Sequence, residues 1–289
     1  RGKLHRVFFT PGILMAILNT PTLPPATTTN CFIVGTDRLV IIDPGAPEAV
    51  DQGLLFELLD ELQDEGARLE GIICTHHHQD HVGAVNAVSR RYQLPVHAHA
   101  ITMERLAAGF LRGRVLADGD RFDLGTAPDG SPDWSLEAIF TPGHDRGHLA
   151  FRESRYKALI AGDMISTVAS IMIDPPEGHL ETYMNSLHRL RTTEMTALLP
   201  GHGPGVPDGQ KIVETFITHR ELRQNSLLSA IAEGPTTVAG LLPKVYGDVD
   251  EAMHPYAARS LMAGLEQLAE AGQVVDVHGV WTATNTLST

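Results

Sequence analysis

Short apolar runs recur along the chain, and each is followed by glycine, proline or a polar residue. Two such runs, residues 31–34 and 39–42, flank a turn-like Gly-Thr-Asp segment and predict a β-hairpin. Four later runs are also short enough to be buried strands. They are residues 71–74, 136–140, 158–161 and 196–199.

Helical patterns lie between these runs. Residues 49–65 place five leucines on one stripe, as a helix packed against a sheet does. Residues 82–92, 101–110 and 183–191 also have apolar positions at helical spacing. Because strands alternate with helices, the pattern predicts an α/β fold.

The pattern becomes helical beyond residue 206. Residues 211–232, 236–246 and 255–271 predict three helices, the second of which is broken by Pro243. Two alternating segments, 274–277 and 280–282, then predict a two-stranded ribbon. We therefore predict two domains, residues 1–206 and residues 207–289, of which the second is a small winged-helix-like domain.

Composition narrows the class of protein. With 43% hydrophobic and 20% charged residues among 289, the chain has the balance of an ordinary globular protein. The longest apolar run, residues 13–18, is too short to cross a membrane. Cys31 and Cys74 each lie in a strand-like run, so we expect reduced thiols and a cytoplasmic location. A net charge of −13 disfavours non-specific binding to nucleic acid.

Residues 76–81 crowd four histidines and one aspartate into a single loop. Neighbouring imidazoles oppose each other's protonation, whereas neutral imidazole and carboxylate are good ligands for divalent metals. An expression tag would lie at a terminus and would lack Asp80. The loop follows the predicted strand 71–74, which is where open α/β sheets place their sites. We therefore predict a metal site here.

Three later strands each end in one side chain that can bind a metal. These side chains are His144, Asp163 and His202, and each has glycine next to it or one residue away. Glycine allows the backbone to approach a metal or a substrate closely. Three such strand ends after the histidine loop indicate that they belong to the same site.

Residues 76–81 match His-x-His-x-Asp-His, which resembles the signature of the metallo-β-lactamase superfamily. The resemblance covers roughly residues 7–206 and implies a four-layer αβ/βα sandwich of two sheets flanked by helices. It implies that Asp43 orients the histidine loop, although a simple turn residue is the alternative. It implies that the first metal is bound by His76, His78 and His144, the second by Asp80, His81 and His202, and that Asp163 bridges both.

The resemblance also implies a chemistry, which is that of a zinc-dependent hydrolase. Two metals would share a bridging hydroxide that attacks an ester, a thioester or a lactone, and Asp80 and Asp163 would hold it and carry a proton. Mixed imidazole and carboxylate ligation suits two Zn²⁺ ions, with Fe or Mn as alternatives. We also expect His179 and Tyr183 to contact a small-molecule substrate, and His77 to point away from the metals.

Two alternatives within the superfamily stay open. Authentic β-lactamases have Cys or Ser near the position of Asp163, so this residue argues against antibiotic hydrolysis. The C-terminal segment resembles a winged-helix subgroup of which some members are endoribonucleases that act on single strands. Nucleic acid would then be a single-stranded substrate.

The charge of the C-terminal segment weighs against nucleic-acid docking. Residues 220–289 contain four basic and eight acidic residues, whereas a helix that enters a groove needs Lys or Arg for phosphate. We interpret the segment as a packing, lid or dimer element, which leaves a homodimer open. A regulatory binding protein is disfavoured because the ligand set is complete.

Overall fold

A computed structural model describes residues 4–284 of the chain. Within that range it contains two large mixed sheets that face each other, helices on their outer faces, and a small C-terminal domain with a two-stranded sheet. The predicted α/β class, the four-layer sandwich and the winged-helix-like domain are confirmed.

The first sheet has seven strands, and their order in space is their order along the chain. The first four strands pair antiparallel and the last three extend the sheet in parallel. The parallel strands bring their carboxyl ends to one edge, where the histidine loop begins. The strands are β1 His5–Thr10, β2 Ile13–Asn19, β3 Thr28–Gly35, β4 Arg38–Ile42, β5 Arg68–Ile73, β6 Pro95–His99 and β7 Leu111–Leu116.

The second sheet has five strands, and its last two strands in the chain pair in parallel at one edge. The other pairs are antiparallel. The strands are β8 Arg121–Gly125, β9 Trp134–Phe140, β10 Leu149–Glu153, β11 Ala158–Ser166 and β12 Ala197–His202. β11 is buried along its whole length, which fixes the side chains that it carries.

Apolar side chains fill the space between the two sheets, and Phe32, Trp134 and Phe151 are the largest of them. Separate apolar clusters cover the outer face of each sheet. The helices are α1 Ala49–Asp64, α2 Gln79–Val82, α3 Val85–Tyr92, α4 Ala100–Arg105 and α5 Leu180–Thr192. Among the described residues, none of the helices is long and apolar enough to cross a bilayer.

A long helix, α6 Gly209–Ala232, connects the sandwich to the C-terminal domain. Val213 and Ile217 in its first half pack with the outer cluster of the second sheet, whereas Leu227 and Ile231 lie in the C-terminal core. The two cores therefore share one helix, and the predicted boundary after residue 206 stays a prediction. The remaining elements are α7 Val238–Val245, a 3-10 turn Glu251–Met253, α8 His254–Glu270, β13 Val274–Val277 and β14 Val280–Ala283.

Some predicted elements differ from those observed. The helix predicted over 82–92 corresponds to α3, which begins at Val85, and a separate short helix, α2, lies within the predicted histidine loop. The helix predicted over 101–110 is α4, which ends at Arg105. Strands β7 and β10 are among those that the sequence pattern does not predict. β7 is an edge strand whose side chains are mostly exposed, so its sequence lacks the apolar run on which the prediction of a buried strand depends.

Candidate metal centre

The seven predicted ligands converge at one edge of the two sheets. The first triad, His76, His78 and His144, has its ligand atoms within 4.8 Å of one another. The second triad, Asp80, His81 and His202, meets the same limit. The loop between β5 and α2, together with α2 itself, supplies four of these residues, and the ends of β9 and β12 supply the other two.

Asp163, from the middle of β11, lies between the two triads. Its Oδ1 is 3.3 Å from Nε2 of His81 and 3.3 Å from Nε2 of His202. Its Oδ2 is 3.6 Å from Nε2 of His144 in the first triad. The carboxylate therefore turns one oxygen towards each triad, as a bridging ligand would.

Hydrogen bonds at Nδ1 determine which imidazole nitrogen is available. Nδ1 of His144 donates to the Met172 carbonyl, and Nδ1 of His202 donates to the Thr28 carbonyl, each at 2.9 Å. In His81 it donates at 2.9 Å to Oδ2 of Asp43. Because these oxygens only accept, Nδ1 carries the proton and Nε2 presents a lone pair to the site.

The same reasoning applies to His76. The Thr75 hydroxyl donates to Oδ2 of Asp43 at 2.6 Å, so it accepts from Nδ1 of His76 at 2.9 Å. Nε2 of His76 and Nε2 of His144 then each lie 3.0 Å from Nδ1 of His78, and one proton on that atom cannot satisfy both.

Two further polar atoms at the centre have no partner. Nε2 of His81 and Oδ1 of Asp163 are buried and make no hydrogen bond. Buried polar groups are nearly always paired, so such orphans need an explanation. A divalent cation in each triad would supply it, because imidazole and carboxylate are common metal ligands. The residues therefore fit a metal-ion pair.

The electrostatics of the two triads differ. Burial, reinforced by His144, lowers the pKa of His78 to about 3, and burial together with His81 lowers the pKa of His76 well below its usual value. These imidazoles are therefore neutral, which is the form that binds a metal. Burial would also lower the pKa of His81, but the Asp163 and Asp80 carboxylates outweigh it and raise that pKa well above its usual value. The second triad therefore favours positive charge.

Asp43, at the end of β4, holds the histidine loop in place. Besides His81, its carboxylate accepts the backbone N–H of Thr75 at 2.8 Å and the Thr75 hydroxyl. The residue is buried and has a φ of 54°, in the left-handed region that Asp adopts more readily than most residues. These contacts orient ligands of both triads.

Other residues support the centre without being ligands. His148 is fully buried, and its Nε2 accepts the backbone N–H of Asp163 at 3.1 Å. His77 turns away from the triads and pairs with buried Asp145, as its position between ligands predicts.

Asn30, on β3, holds the backbone on both sides of His202. Its amide donates to the Pro200 carbonyl at 2.9 Å and to the Gly203 carbonyl at 2.8 Å. Nothing in the sequence around Asn30 indicates this role.

The two residues predicted to contact a substrate lie away from the cavity beside the triads, and their substrate role stays a prediction. Tyr183 is fully buried, and its hydroxyl donates to the Met164 carbonyl at 2.8 Å. His179 accepts from the backbone N–H of Thr182 as the cap of α5, and its Nε2 lies 3.0 Å from the Glu270 carboxylate. Neither residue lines the cavity beside the triads.

A cavity of about 590 Å³ opens beside the triads. Asp80 and Asp163 are the only acidic side chains on its wall within residues 4–284. The loop of residues 21–26 and the segment 169–172 form two walls, and side chains of α6, α8 and the loop before α8 form another. The C-terminal domain therefore closes over the candidate metal centre.

Two family descriptions match parts of the chain. Residues 24–202 match the metallo-beta-lactamase superfamily, and this range holds all seven residues of the centre. Residues 237–281 match the beta-lactamase associated winged helix domain.

Proteins of known sequence are similar to more than four fifths of the chain. The beta-lactamase-like protein 2 homolog of Caenorhabditis elegans is 26% identical, over 86% of this chain and 81% of its own. The atrochrysone carboxyl ACP thioesterase of Aspergillus fumigatus is 28% identical, over 81% of this chain and 75% of its own.

Two crystal structures are also similar. A beta-lactamase domain protein from Burkholderia ambifaria has a TM-score of 0.84 and 20% identity, over 96% of this chain and 93% of its own. TTHA1623 in a di-iron-bound form has a TM-score of 0.51 and 28% identity, over 66% of this chain and 96% of its own.

Proposed function

The chain belongs to the metallo-beta-lactamase superfamily, and we propose that it is a binuclear metal-dependent hydrolase that cleaves a thioester, an ester or a lactone. Members of the superfamily are hydrolases. The observation that carries the proposal is the arrangement of two ligand triads on either side of the Asp163 carboxylate, at the wall of a cavity.

We assign the two ions to the two triads, with Asp163 shared between them. Two Zn²⁺ ions suit this mixture of imidazole and carboxylate, and Fe or Mn is the alternative. The di-iron form of a similar protein supports a site for two metal ions and supports iron as the alternative metal. When bound, the ions supply a water that loses its proton near neutral pH and polarise the scissile carbonyl.

In this proposal, Asp80 and Asp163 are the residues that bind the attacking water and transfer its proton. They are the acidic groups on the cavity wall in the described part of the chain, so they are placed to hold the attacking water and to transfer its proton to the leaving group. Burial opposes ionisation of Asp163, but His202 and His81 outweigh it and keep its pKa well below the usual value. The carboxylate is therefore ionised and able to accept.

A small substrate fits the surroundings better than a polymer. The cavity is walled by the C-terminal domain, and the chain carries a net charge of −13, which repels nucleic acid. A relative is named as a thioesterase, which favours a thioester within this class. The buried free thiols of Cys31 and Cys74 favour a reducing compartment such as the cytoplasm.

A substrate panel tests the proposal. Purified, metal-loaded protein is offered thioesters, esters and lactones on one side and labelled single-stranded RNA on the other. We expect turnover of the first group, its loss on chelation, and its loss in Asp80→Ala. RNA cleavage that Asp80→Ala abolishes, with no turnover of the first group, would instead identify a nuclease.

A further inference from the structure

Arg220, on α6, is a buried positive charge on the wall of the cavity. The residue is only 6% exposed, although it lines the cavity together with members of both triads. No Asp or Glu oxygen within residues 4–284 lies within 4.0 Å of its guanidinium. Charged side chains are almost never this deeply buried unless they are paired.

The partners that Arg220 does have leave most of its capacity unused. One of its terminal nitrogens donates to the Ile171 carbonyl, and its Cζ lies 5.4 Å from the centre of the Tyr183 ring. Its Nε is buried and has no acceptor. Burial raises the pKa of Tyr183 to about 12, so the phenol is neutral and provides no counter-charge. A guanidinium has five N–H donors, so an acceptor is missing.

Arg223, one turn further along α6, is an arginine whose charge is neutralised by a carboxylate. It also lines the cavity, but it donates to both carboxylate oxygens of Asp248, at 2.7 and 2.8 Å. Its guanidinium also stacks over the Tyr246 ring at 4.7 Å. The two arginines have the same chemistry and the same helix, and they differ in whether a carboxylate neutralises them.

The uncompensated charge lies close to the metal centre. Arg220 donates to the carbonyl of Ile171, and the metal ligand His144 donates to the carbonyl of Met172, the next residue. The guanidinium and His144 are therefore held by neighbouring residues on the wall of the same cavity. Apolar side chains make up much of the remaining wall, among them Leu23, Pro24 and Met253.

We propose that Arg220 is the recognition site for an anionic group, a carboxylate or a phosphate, on an otherwise apolar substrate. Arginine suits this task because its planar donors match both kinds of anion. This inference rests on the proposed function and deepens it, since it defines the substrate as an anionic acyl compound. The anion could lie on the acyl group as a carboxylate or on the leaving group as a phosphate.

Three unreactive thioethers separate these cases: S-pentyl-N-acetylcysteamine, which is neutral, S-(4-carboxybutyl)-N-acetylcysteamine, which adds a carboxylate, and S-pentyl-coenzyme A, which adds phosphates. Their affinities for the metal-loaded protein are measured by calorimetry. For the wild type we expect at least one anionic thioether to bind about 10- to 100-fold more tightly than the neutral one. The thioether whose tighter binding is lost in Arg220→Met identifies the location of the anion, because coenzyme A adds other groups besides phosphates.

Variants attribute that preference to one side chain. In Arg220→Met the ratio of anionic to neutral affinity should fall towards one, and Arg220→Lys should keep part of it. In Arg223→Met, the matched control, the ratio should persist because Asp248 already neutralised the charge. The ratio of anionic to neutral affinity does not depend on the fraction of protein that folds, so it can also be measured for a destabilised variant.

Two results would overturn the assignment. One is a wild type without preference for either anionic thioether, and the other is an undiminished preference in Arg220→Met, which would mean that the metals alone bind the anion. Because none of the ligands is hydrolysed, a wild type that prefers the anion but cleaves no thioester, ester or lactone would refute the proposed function and leave this site standing.

Discussion

Gly201 lies so close to Asp163 that a Cβ atom added at residue 201 would overlap Oδ1 of that carboxylate. The same Cβ would lie 2.9 Å from Cε1 of His81. The glycine before the last ligand is thus required by contact with the carboxylate between the triads, and not by a turn.

We expect Gly201→Ala to displace Asp163 and weaken metal binding at least about tenfold, with an overpacking cost of about 1–3 kcal/mol in stability. Metal titration and urea unfolding measure the two effects. Gly53→Ala is the control, because a Cβ there meets nothing within 4 Å and Gly53 lies inside α1. That variant should gain about 0.5–1 kcal/mol. Full metal affinity in Gly201→Ala would show that Asp163 is not held at this distance.

Asp163→Ala should lose metal from both triads as well as activity. Removing groups that only support ligands already costs about 10- to 100-fold in affinity or activity, so removing a shared ligand should cost at least about 100-fold. Elemental analysis after dialysis measures metal content, and Asp80→Ala, which alters one triad, is the comparison. Unchanged metal content in Asp163→Ala would contradict its bridging role.

Asp43→Asn should lower metal affinity about 10- to 100-fold while the ligands themselves stay in place. The amide has one acceptor oxygen where the carboxylate receives Thr75 twice and His81 once. The tautomer of His81 is then no longer fixed. Competition with a coloured chelator measures the affinity. Asp120→Asn is the control: its amide oxygen can still accept the single Ala117 N–H that the carboxylate accepts, so this variant should bind metal normally.

His179→Ala should leave KM unchanged, because the residue caps α5 and does not line the cavity. Loss of the cap should cost about 0.5–2 kcal/mol in unfolding free energy. Its half-exposed pair with Glu270 adds little. Asp208→Ala, which removes the cap of α6, should cost a similar amount. A several-fold rise in KM confined to His179→Ala would restore it as a substrate contact.

His97 predicts a loss of stability in mild acid. Burial, with help from Arg114, lowers its pKa from 6.5 to about 4. The folded protein therefore resists protonation, so the contribution of His97 is complete above pH 6.5 and is lost as the pH falls towards 4. Between pH 7 and 5 this amounts to about 1–2 kcal/mol.

Urea unfolding at pH 7 and pH 5 measures this loss, and His97→Gln is the comparison. Glutamine can still accept the Arg114 N–H but does not titrate. The difference between the two proteins cancels the effects of other groups, the metal ligands included. An equal loss in both proteins would mean that His97 does not carry it.

Most of the candidate ligands could be predicted because they are polar side chains that follow a buried strand, and sequence patterns report such places well. Asp163 is an exception in its placement, since the strand predicted to end at residue 161 continues through it to Ser166. All seven lie together in the structure. β7 could not be predicted in the same way, because an exposed edge strand buries little and so leaves no apolar run.

The wall of the cavity was not predictable for a different reason. It depends on how α6 and α8 dock over the sandwich, and periodicity gives the apolar face of a helix but not its partner. Tyr183 illustrates this limit. Its helical register places it on a buried face, and only the structure shows that this face turns away from the cavity.

Each triad takes residues from both sheets, since the histidine loop follows the first sheet and His144 and His202 come from the second. During synthesis, residues 76–81 therefore leave the ribosome without the partners that complete either set. The first set closes only after residue 144 has emerged and the second only after residue 202. Neither candidate metal site can therefore be complete before most of the sandwich has been synthesised, and two metal ions bound there would link halves of the sandwich that were made at different times.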